Sequence, residues 1–456
     1  MSRLVIVSNR VAHQKGATAP GGLTVGLLEA LRASGGLWVG WNGEISVRDG
    51  APAQPSERDG ISFATFPLPQ ALHEKYYGGF ANGTLWPLFH YLLAGFRYDE
   101  QEYAAYEAAN ELFAEHLLPR LRSADLVWVH DYHLIPLGEK LRRRGVAGPV
   151  GFFLHVPFPH FEILRALPRA PQLVRALLAY DVVGFQTESD RDSFLGCVRL
   201  MCGIAPDEEG TLPVGGHLCR AAVFPIGVDV EGVNSVADRA QAAAPVRRMV
   251  EGLGGRRLII GVDRLDYSKG LLERFEAYRK FLEDASEHAG RVTYLQIAPL
   301  GRQDVQAYAQ IRNSLEQSSG RTNGRFAEAD WTPIRYLNRN FPHATLLGFL
   351  RASHVCLVTP VRDGMNLVAK EFIASQDPAD PGVLILSDRA GAAAELSAAV
   401  IVNPYDTKGI ARAIRLALAM PLAERRERHE RLLGALHRND IHRWHREFVV
   451  SLARSR

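Results

Sequence analysis

The chain has 456 residues, more than one domain usually holds, so we expect two domains of about two hundred residues each. Hydrophobic residues make up 47% and charged residues 23%, an ordinary globular balance that excludes a disordered protein. The formal net charge is only +3, from 53 basic and 50 acidic residues, which argues against a nucleic-acid-binding protein with a basic face or tail.

The cysteines and the apolar runs indicate where the protein works. The four cysteines form no C-x-x-C pair, and no histidine pair nearby completes a zinc site. Few, irregularly spaced cysteines are typical of a reducing compartment. The first apolar run, 4–7, is too short for the hydrophobic region of a signal peptide, and no run reaches the length of a membrane span. We therefore expect a soluble, cytoplasmic protein without a membrane partner.

Short apolar runs bounded by Gly, Pro or polar residues alternate with helical patterns along the whole chain. The predicted strands are 3–8, 126–130, 151–155, 182–185, 221–226, 257–262, 292–298, 354–359, 383–387 and 399–402. The predicted helices include 103–122, 171–180, 271–284, 304–317 and 408–437, and the polar segment 42–60 is expected to form a surface hairpin or loop. This alternation is typical of parallel sheets covered by helices on both faces.

The pattern restarts close to mid-chain, after Ile226 and Gly227. We therefore predict an α/β fold of two doubly wound domains that face a cleft. Sheets of this kind bind ligands beyond the C-terminal ends of their strands. The residues that directly follow each strand are thus the candidates for function.

The loop after the first strand contains a cation and adjacent glycines. Arg10 comes just after the strand, and Gly21 and Gly22 precede a helix expected to begin near Leu23. Glycines let backbone N–H groups approach an anion at a helix start, and an arginine can hold a phosphate. The loop lacks the G-x-G-x-x-G pattern of dinucleotide-binding proteins, which counts against a dehydrogenase. The alternative is a plain turn with a surface arginine.

Aromatic and polar residues follow in the next predicted loops. Tyr77 and Trp86 lie in aromatic clusters, which commonly belong to a core but also form the stacking faces of sugar sites. Asp131 directly follows a predicted strand, and its carboxylate can accept hydrogen bonds from two adjacent sugar hydroxyls. His155 ends the next strand, where a lone histidine is more often structural. A metal site is the rival interpretation, and it needs three or four ligands.

In the second half, strand 257–262 leads into a loop with two cations, Arg264 and Lys269, just before a helix. Two positive charges at a strand end and a helix N-terminus suit a pyrophosphate. The alternative is a solvated loop with internal Asp–Arg pairing.

Strand 354–359 is followed by a carboxylate, a glycine, a short amide-rich turn and a second carboxylate. Asp363 is placed to bind sugar hydroxyls, and Gly364 permits close approach of the amides at 365–367 to a phosphate or sugar oxygen. Glu371, about two helical turns further on, can accept both hydroxyls of a ribose. This order of groups after a buried strand is difficult to explain by stability alone.

Together these segments resemble the trehalose-6-phosphate synthase family of retaining glycosyltransferases. The resemblance rests on Arg10 with its Gly-Gly loop, the Tyr-Tyr and Leu-Trp-Pro segments, His-Asp-Tyr-His-Leu, Phe-Leu-His-x-Pro-Phe-Pro, Arg-Leu-Asp-Tyr-Ser-Lys-Gly, and Arg-Asp-Gly-Met-Asn-Leu-Val-Ala-Lys-Glu. It is collinear over residues 2–445. It implies the GT-B architecture, with an acceptor-binding domain at 1–228, a nucleotide-sugar-binding domain at 229–440, and a helix at 441–456 that crosses back to the first domain.

The resemblance also implies the site residues. The acceptor would be held by Arg10, Tyr77, Trp86, Asp131 and Arg302, with both arginines on its 6-phosphate. The donor would be held by Gly22, His155, Arg264, Lys269, Asp363, Gly364, Met365, Asn366, Leu367 and Glu371. Arg264, Lys269, His155 and Asp363 are the residues expected to take part in catalysis.

The activity that the resemblance implies is transfer of glucose from a nucleotide-glucose, with UDP-glucose expected, to glucose 6-phosphate. The product would be α,α-trehalose 6-phosphate, and no metal or cofactor would be required. A separate trehalose-6-phosphate phosphatase would act downstream, because the phosphatase domain fused to some relatives is not found in this sequence. The donor base and homo-oligomerisation stay open. The alternatives are a related transferase acting on glycerol 3-phosphate or a cyclitol phosphate, and a non-catalytic sugar-phosphate sensor.

Overall fold

A computed structural model describes residues 2–11, 27–28, 31, 36–47, 53–299 and 306–455. Apolar runs form its strands, which are β1 (Leu4–Arg10), β2 (Leu37–Ser46), β3 (Gln54–Arg58), β4 (Ile61–Pro69), β5 (Leu126–His130), β6 (Val150–Phe153), β7 (Val182–Phe185), β8 (Thr211–Val214), β9 (His217–Val223), β10 (Arg257–Val262), β11 (Val292–Ile297), β12 (Ile334–Leu337), β13 (Val355–Val358), β14 (Val383–Ser387) and β15 (Val400–Val402).

The helices between them are α1 (Gln70–Leu72), α2 (Trp86–Phe89), α3 (Glu100–Leu117), α4 (Leu137–Arg143), α5 (Phe161–Leu164), α6 (Ala170–Leu177), α7 (Glu188–Cys202), α8 (Val230–Ala240), α9 (Ala244–Glu251), α10 (Leu271–Asp284), α11 (Gln306–Phe326), α12 (His343–Arg351), α13 (Leu367–Ser375), α14 (Thr407–Ala419), α15 (Leu422–Arg438) and α16 (Ile441–Ala453). A π-helical segment, His73–Leu85, lies between α1 and α2. Side chains of Asp99, Thr187, Asp229 and Asp406 cap helices in the way expected of short polar residues.

The chain divides into two compact units, and each contains one sheet. Among the described residues, the first sheet has nine strands in the order β3-β4-β2-β1-β5-β6-β7-β9-β8, and the second has six in the order β12-β11-β10-β13-β14-β15. The first unit extends to Ile226 and includes the segment from His442 onward, whereas the second covers Gly227–Ile441. Two parallel α/β sheets confirm the predicted fold class.

Most predicted elements are confirmed, and the differences have physical causes. Strands β5, β7, β10 and β14 have the predicted bounds, as does helix α10. The predicted helix 408–437 is wrong as one element, because Pro421 cannot continue a helix and separates α14 from α15. Strands β2, β4, β8 and β12 were not predicted, and helices α7, α8, α9 and α12 have no counterpart among the predicted ranges.

The first sheet is parallel except at its two edges. Strand β3 pairs with β4, and β8 pairs with β9, in antiparallel fashion. The β3–β4 hairpin lies partly in the segment 42–60, for which a hairpin or loop was expected. Its turn uses Asp59 and Gly60, both at positive φ (50° and 74°), which these residue types tolerate.

Helix α16 packs on the first sheet through aromatic side chains. The ring of Phe448 stacks on Trp128 of β5 at 4.3 Å between centroids. Glycines in the neighbouring strands make room for it, because a Cβ at Gly151 or Gly184 would lie 2.9 Å from that ring. Trp444 and Phe448 are both buried. The described helices include none with the length and apolar character that a membrane crossing requires.

Candidate functional site

The loop after β10 is fixed by a buried ion pair. Arg274 of α10 is fully buried and donates to Asp263 at 2.7 Å, to Gln296 Oε1 at 3.0 Å and to the main-chain oxygen of Lys269 at 3.2 Å. Burial raises the pKa of Asp263, and the charges of Arg274 and Lys269 oppose that rise. The Asp–Arg pairing considered for this loop therefore uses Arg274, a residue that the sequence analysis did not single out. Arg264 is exposed and forms no hydrogen bond with the described part of the chain.

Lys269 joins this loop to the one after β13. It is only 8% exposed, and its ammonium group lies 2.5 Å from Asp363 Oδ2. The two loops also meet through their main chains, where the amide of Val361 donates to Ser268 at 2.9 Å. Gly270, at φ 64°, allows this approach, because a Cβ there would lie 2.2 Å from the oxygen of Thr359. Lys269 and Asp363 are 94 positions apart in sequence, and their two motifs thus form one structure.

Asn366 connects the β13 loop to helix α13. Its Nδ2 donates to Asp363 Oδ2 at 3.0 Å, and its Oδ1 accepts from the amide of Ala369 at 3.2 Å as the helix cap. Its backbone is left-handed, at φ 80°, a conformation that asparagine tolerates better than most residues. The main chain of Asp363 and Met365 is held by bonds to the segment 389–392. The predicted group Asp363, Gly364, Met365, Asn366 and Leu367 therefore lies together at the N-terminus of α13.

Glu371 on α13 has a partner that sequence reasoning missed. Its Oε1 lies 3.0 Å from Nε2 of His343, the first residue of α12. The hydrogen bond with this carboxylate raises the pKa of His343, against the opposing effect of burial. The sequence carried no signal for this contact, since no local pattern relates a histidine at the start of one helix to a carboxylate 28 positions further on.

In the first unit, Arg10 and Tyr77 are linked by an aromatic residue, Trp41. The guanidinium of Arg10 lies over the Trp41 ring at 5.5 Å, and the Tyr77 ring is 5.5 Å from the same ring. Tyr77 also stacks on His133 at 5.9 Å. Tyr77 lies in the π-helical segment, a rare conformation that is often found at functional sites. Trp41 lies within β2, which was not predicted, so its place beside Arg10 was not foreseen.

Trp86 is placed differently from the other predicted acceptor residues. It is 4% exposed and packs against His90 at 4.1 Å and Tyr132 at 5.8 Å between ring centroids. This surrounding is typical of a core residue, the alternative weighed for the aromatic cluster. The acceptor role of Trp86 stays a prediction.

Asp131 follows β5 with an unusual backbone conformation. Its φ is 75°, which costs energy for a residue other than glycine and is found most often at functional sites. The turn is held by α3, where Tyr106 donates to the oxygen of Tyr132 at 2.6 Å and Asn110 donates to the oxygen of His133 at 3.1 Å. Asp131 Oδ1 accepts from the amide of His155 at 3.2 Å. The two predicted residues are therefore neighbours.

His155 forms a second contact, with the histidine that precedes Asp131. His155 Nε2 lies 3.0 Å from Nδ1 of His130. Burial lowers the pKa of His155 to about 3 and lowers that of His130 well below its usual value. Both rings are therefore neutral at neutral pH. Among the described residues, no three His, Cys, Asp or Glu side chains converge as a set of metal ligands would.

Two predicted site residues, Gly22 and Arg302, lie outside the described residues. Their assignments to the donor phosphate and to the acceptor phosphate stay predictions.

Known proteins resemble this chain in sequence and in fold over almost its full length. The model of glycosyltransferase family 20 matches residues 3–454. A trehalose-6-phosphate synthase of Cronobacter sakazakii is 47% identical, over 99% of this chain and 95% of that protein. A crystal structure of an α,α-trehalose-phosphate synthase (UDP-forming) from Burkholderia xenovorans in complex with glucose-6-phosphate has a TM-score of 0.96 and 46% identity, covering 99% of this chain and 100% of that one.

A trehalose-6-phosphate structure from E. coli bound with UDP-2-fluoro glucose has a TM-score of 0.93 and 45% identity, with 99% of each chain covered. The agreement in sequence and in fold extends through both units. The chain belongs to glycosyltransferase family 20.

Proposed function

We propose that this protein transfers glucose, with retention of configuration, from UDP-glucose to glucose 6-phosphate, giving α,α-trehalose 6-phosphate and UDP. The observation that carries the proposal is the joined pair of loops in which Lys269 binds Asp363 and Asn366 binds the same carboxylate. The relatives support the choice of substrates, since their names include glucose-6-phosphate and a UDP-glucose analogue.

The donor is held by charge and by amides. Breaking the bond between glucose and diphosphate places negative charge on the leaving UDP, and Lys269 and Arg264 stabilise that charge electrostatically. Asp363 accepts hydrogen bonds from glucose hydroxyls, and the amides of Gly364, Met365, Asn366 and Leu367 donate to donor oxygens at the start of α13. Gly22 contributes close to the donor phosphate. These cations supply what a bound metal ion supplies in metal-dependent transferases.

Glu371 binds the ribose. A carboxylate accepts from both vicinal hydroxyls at once, and His343 Nε2 at 3.0 Å holds Oε1 in place for this contact. The donor base is contacted by the chain around 340–350.

The acceptor is held by Arg10, Tyr77, Trp86, Asp131 and Arg302. The two arginines bind the 6-phosphate, because the planar guanidinium matches the arrangement of phosphate oxygens. Asp131 accepts from sugar hydroxyls, and Tyr77 packs on the sugar.

The reaction conserves the α configuration of the donor. The bond from the anomeric carbon to the phosphate oxygen breaks on the same face on which the bond to the acceptor oxygen forms. The acceptor hydroxyl gives its proton to the leaving phosphate oxygen. No carboxylate is assigned as a covalent nucleophile, in contrast with retaining glycosidases. His155 contributes as a neutral ring beside the donor glucose, because its lowered pKa, about 3, keeps it unprotonated.

The product is a phosphomonoester, so a phosphatase is the class of enzyme that consumes it. The proposed function is tested with purified protein and a panel of nucleotide-glucoses and phosphorylated acceptors, following nucleotide release and identifying the disaccharide by NMR. We expect UDP release that depends on glucose 6-phosphate and an α,α linkage. Turnover with glycerol 3-phosphate or a cyclitol phosphate but not glucose 6-phosphate would overturn the acceptor assignment. Absence of turnover with every pair would favour the sensor.

A further inference from the structure

We infer that His130 is a positioning residue that fixes the proton of His155 on Nδ1, so that His155 presents an N–H donor to an oxygen of the transferred glucose. The inference rests on the proposed function for the identity of the ligand. The proton assignment itself depends only on contacts within the chain.

The contact between the two histidines uses one nitrogen of each ring and leaves His130 Nε2 and His155 Nδ1 outside it. His130 Nδ1 and His155 Nε2 are 3.0 Å apart and share one hydrogen bond. In two neutral imidazoles, one nitrogen of each ring carries the proton, so one ring donates and the other accepts. His155 is partly exposed, and its Nδ1 has no hydrogen bond within the described part of the chain. Nδ1 is therefore the nitrogen that a ligand meets.

The buried end of His130 decides which ring donates. His130 is 1% exposed, and its Nε2 is buried without a hydrogen-bond partner in the described chain. If His155 donated, the proton of His130 would be on this Nε2, as a buried N–H with no acceptor. If His130 donates, Nε2 is only an acceptor that lacks a donor. Unpaired buried N–H groups are rarer than under-satisfied acceptors, so His130 donates through Nδ1.

The rings around His130 support the same assignment. Trp128 lies 4.6 Å and Trp444 6.4 Å from it between centroids, and the indole N–H of each is also buried without a partner. An indole nitrogen donates and cannot accept. The polar atoms of these neighbours therefore could not receive a proton from His130 Nε2, whereas an unprotonated Nε2 is compatible with them.

The consequence for His155 is a fixed tautomer. Since its Nε2 accepts from His130, its own proton is on Nδ1, the accessible nitrogen. The contact of His155 Nε2 with His130 Nδ1 at 3.0 Å orients the ring, and the amide of the same residue anchors its main chain on Asp131 Oδ1 at 3.2 Å. Lowered pKa values keep both rings neutral at neutral pH, so the donor there is a neutral N–H. A hydrogen bond made by the second nitrogen is the usual means by which proteins set a histidine tautomer.

The tautomer can be measured directly in the ligand-free protein. Two-bond proton–nitrogen NMR of protein labelled with ¹⁵N-histidine distinguishes a protonated Nδ1 from a protonated Nε2, and the signals of His155 are those absent from the His155→Asn variant. We expect protonated Nδ1 in both His130 and His155 at neutral pH. Protonated Nε2 in His155 would overturn the inference, whatever the enzyme's activity.

Matched substitutions test the consequence for transfer. Asparagine places an N–H close to the position of histidine Nδ1, and glutamine places one close to Nε2. We expect His130→Asn to keep kcat/KM for UDP-glucose within about threefold. We expect His130→Gln and His130→Ala to lose roughly 10- to 100-fold, the size of loss seen when the hydrogen-bond partner of a metal-bound histidine is removed. His116→Ala controls for loss of a half-buried ring in the same unit, since His116 stacks on Phe66. Equal losses for His130→Asn and His130→Ala, with both variants folded, would overturn the positioning role.

Discussion

At the scale of single residues, Lys269 interacts with two negatively charged groups. It neutralises Asp363, which is half-buried, and in the proposed reaction it attracts the diphosphate. A cation already paired with a carboxylate exerts a weaker field on a ligand than a free one, so the exposed Arg264 is needed beside it. Because of this pairing, we expect a substitution of Lys269 to affect stability and activity together.

We therefore predict that Lys269→Ala lowers kcat about 100- to 1000-fold, while the KM for glucose 6-phosphate changes little. It also lowers the free energy of unfolding by about 3 kcal/mol, because the Asp363 carboxylate loses the cation of its ion pair. Steady-state kinetics and urea unfolding measure the two effects. Lys408→Ala, an exposed lysine in the same unit, is the control. An unchanged kcat would remove Lys269 from the donor site.

The His343–Glu371 contact predicts a dependence of stability on pH. The pKa of His343 is raised in the folded state. The pair therefore stabilises the fold fully below the unfolded pKa of about 6.5, and this stabilisation is lost as pH rises through the folded pKa. We expect His343→Gln to lower the free energy of unfolding by about 1 kcal/mol near pH 6 and by less than half of that near pH 9. Unfolding in urea at the two pH values measures this. A loss that does not change with pH would mean that the contact is not charge-assisted.

At the scale of elements, the start of α13 combines a helix cap with a left-handed backbone. Asn366 supplies both, since its side chain caps the helix and its φ is 80°. Glycine also tolerates this conformation and is an acceptable N-cap, whereas alanine disfavours positive φ and is a poor N-cap. We predict that Asn366→Ala lowers the free energy of unfolding by about 2 kcal/mol and Asn366→Gly by about half as much. Equal losses would show that backbone strain is not what asparagine relieves.

The docking of α16 on the first sheet depends on glycines in the strands. A Cβ at Gly184 would lie 2.7 Å from Phe153 and 2.9 Å from Phe448, so Gly184→Ala should lower the free energy of unfolding by about 1–3 kcal/mol. Gly196 in α7 has open space where a Cβ would be added. Gly196→Ala should therefore leave stability unchanged or raise it by up to about 1 kcal/mol. Thermal unfolding of the two variants makes the comparison, and a tolerated Gly184→Ala would show that α16 can shift.

At the scale of the whole molecule, the proposed chemistry assigns the leaving-group charge to side chains. We therefore predict that glucose transfer continues after dialysis against EDTA, with kcat within about twofold of that measured with added Mg²⁺. Initial rates before and after chelation measure this, with metal content checked by mass spectrometry. Loss of activity on chelation, restored by one divalent ion, would contradict the role of Lys269 and Arg264.

The sequence by itself determined the alternation of strands and helices, because buried parallel strands are continuous apolar runs. Strands β5, β7, β10 and β14 could be placed to the residue for this reason. The sequence also identified polar residues that directly follow the strands, such as Asp131 and Asp363, because parallel sheets bind ligands at the C-terminal ends of their strands. Strand β2 was missed because it continues from an apolar run into polar residues, and β12 because it is only partly buried and contains Arg335, so it is not a continuous apolar run.

Only the tertiary structure decided which of those groups meet. The contacts of Lys269 with Asp363 and of His343 with Glu371 join residues 94 and 28 positions apart, and neither pair has a local pattern. The same holds for His130 and His155, which adjacent parallel strands β5 and β6 bring within a hydrogen bond. Periodicity records which face of an element is buried, but partners across strands are set by register and packing, which arise only when the sheet assembles.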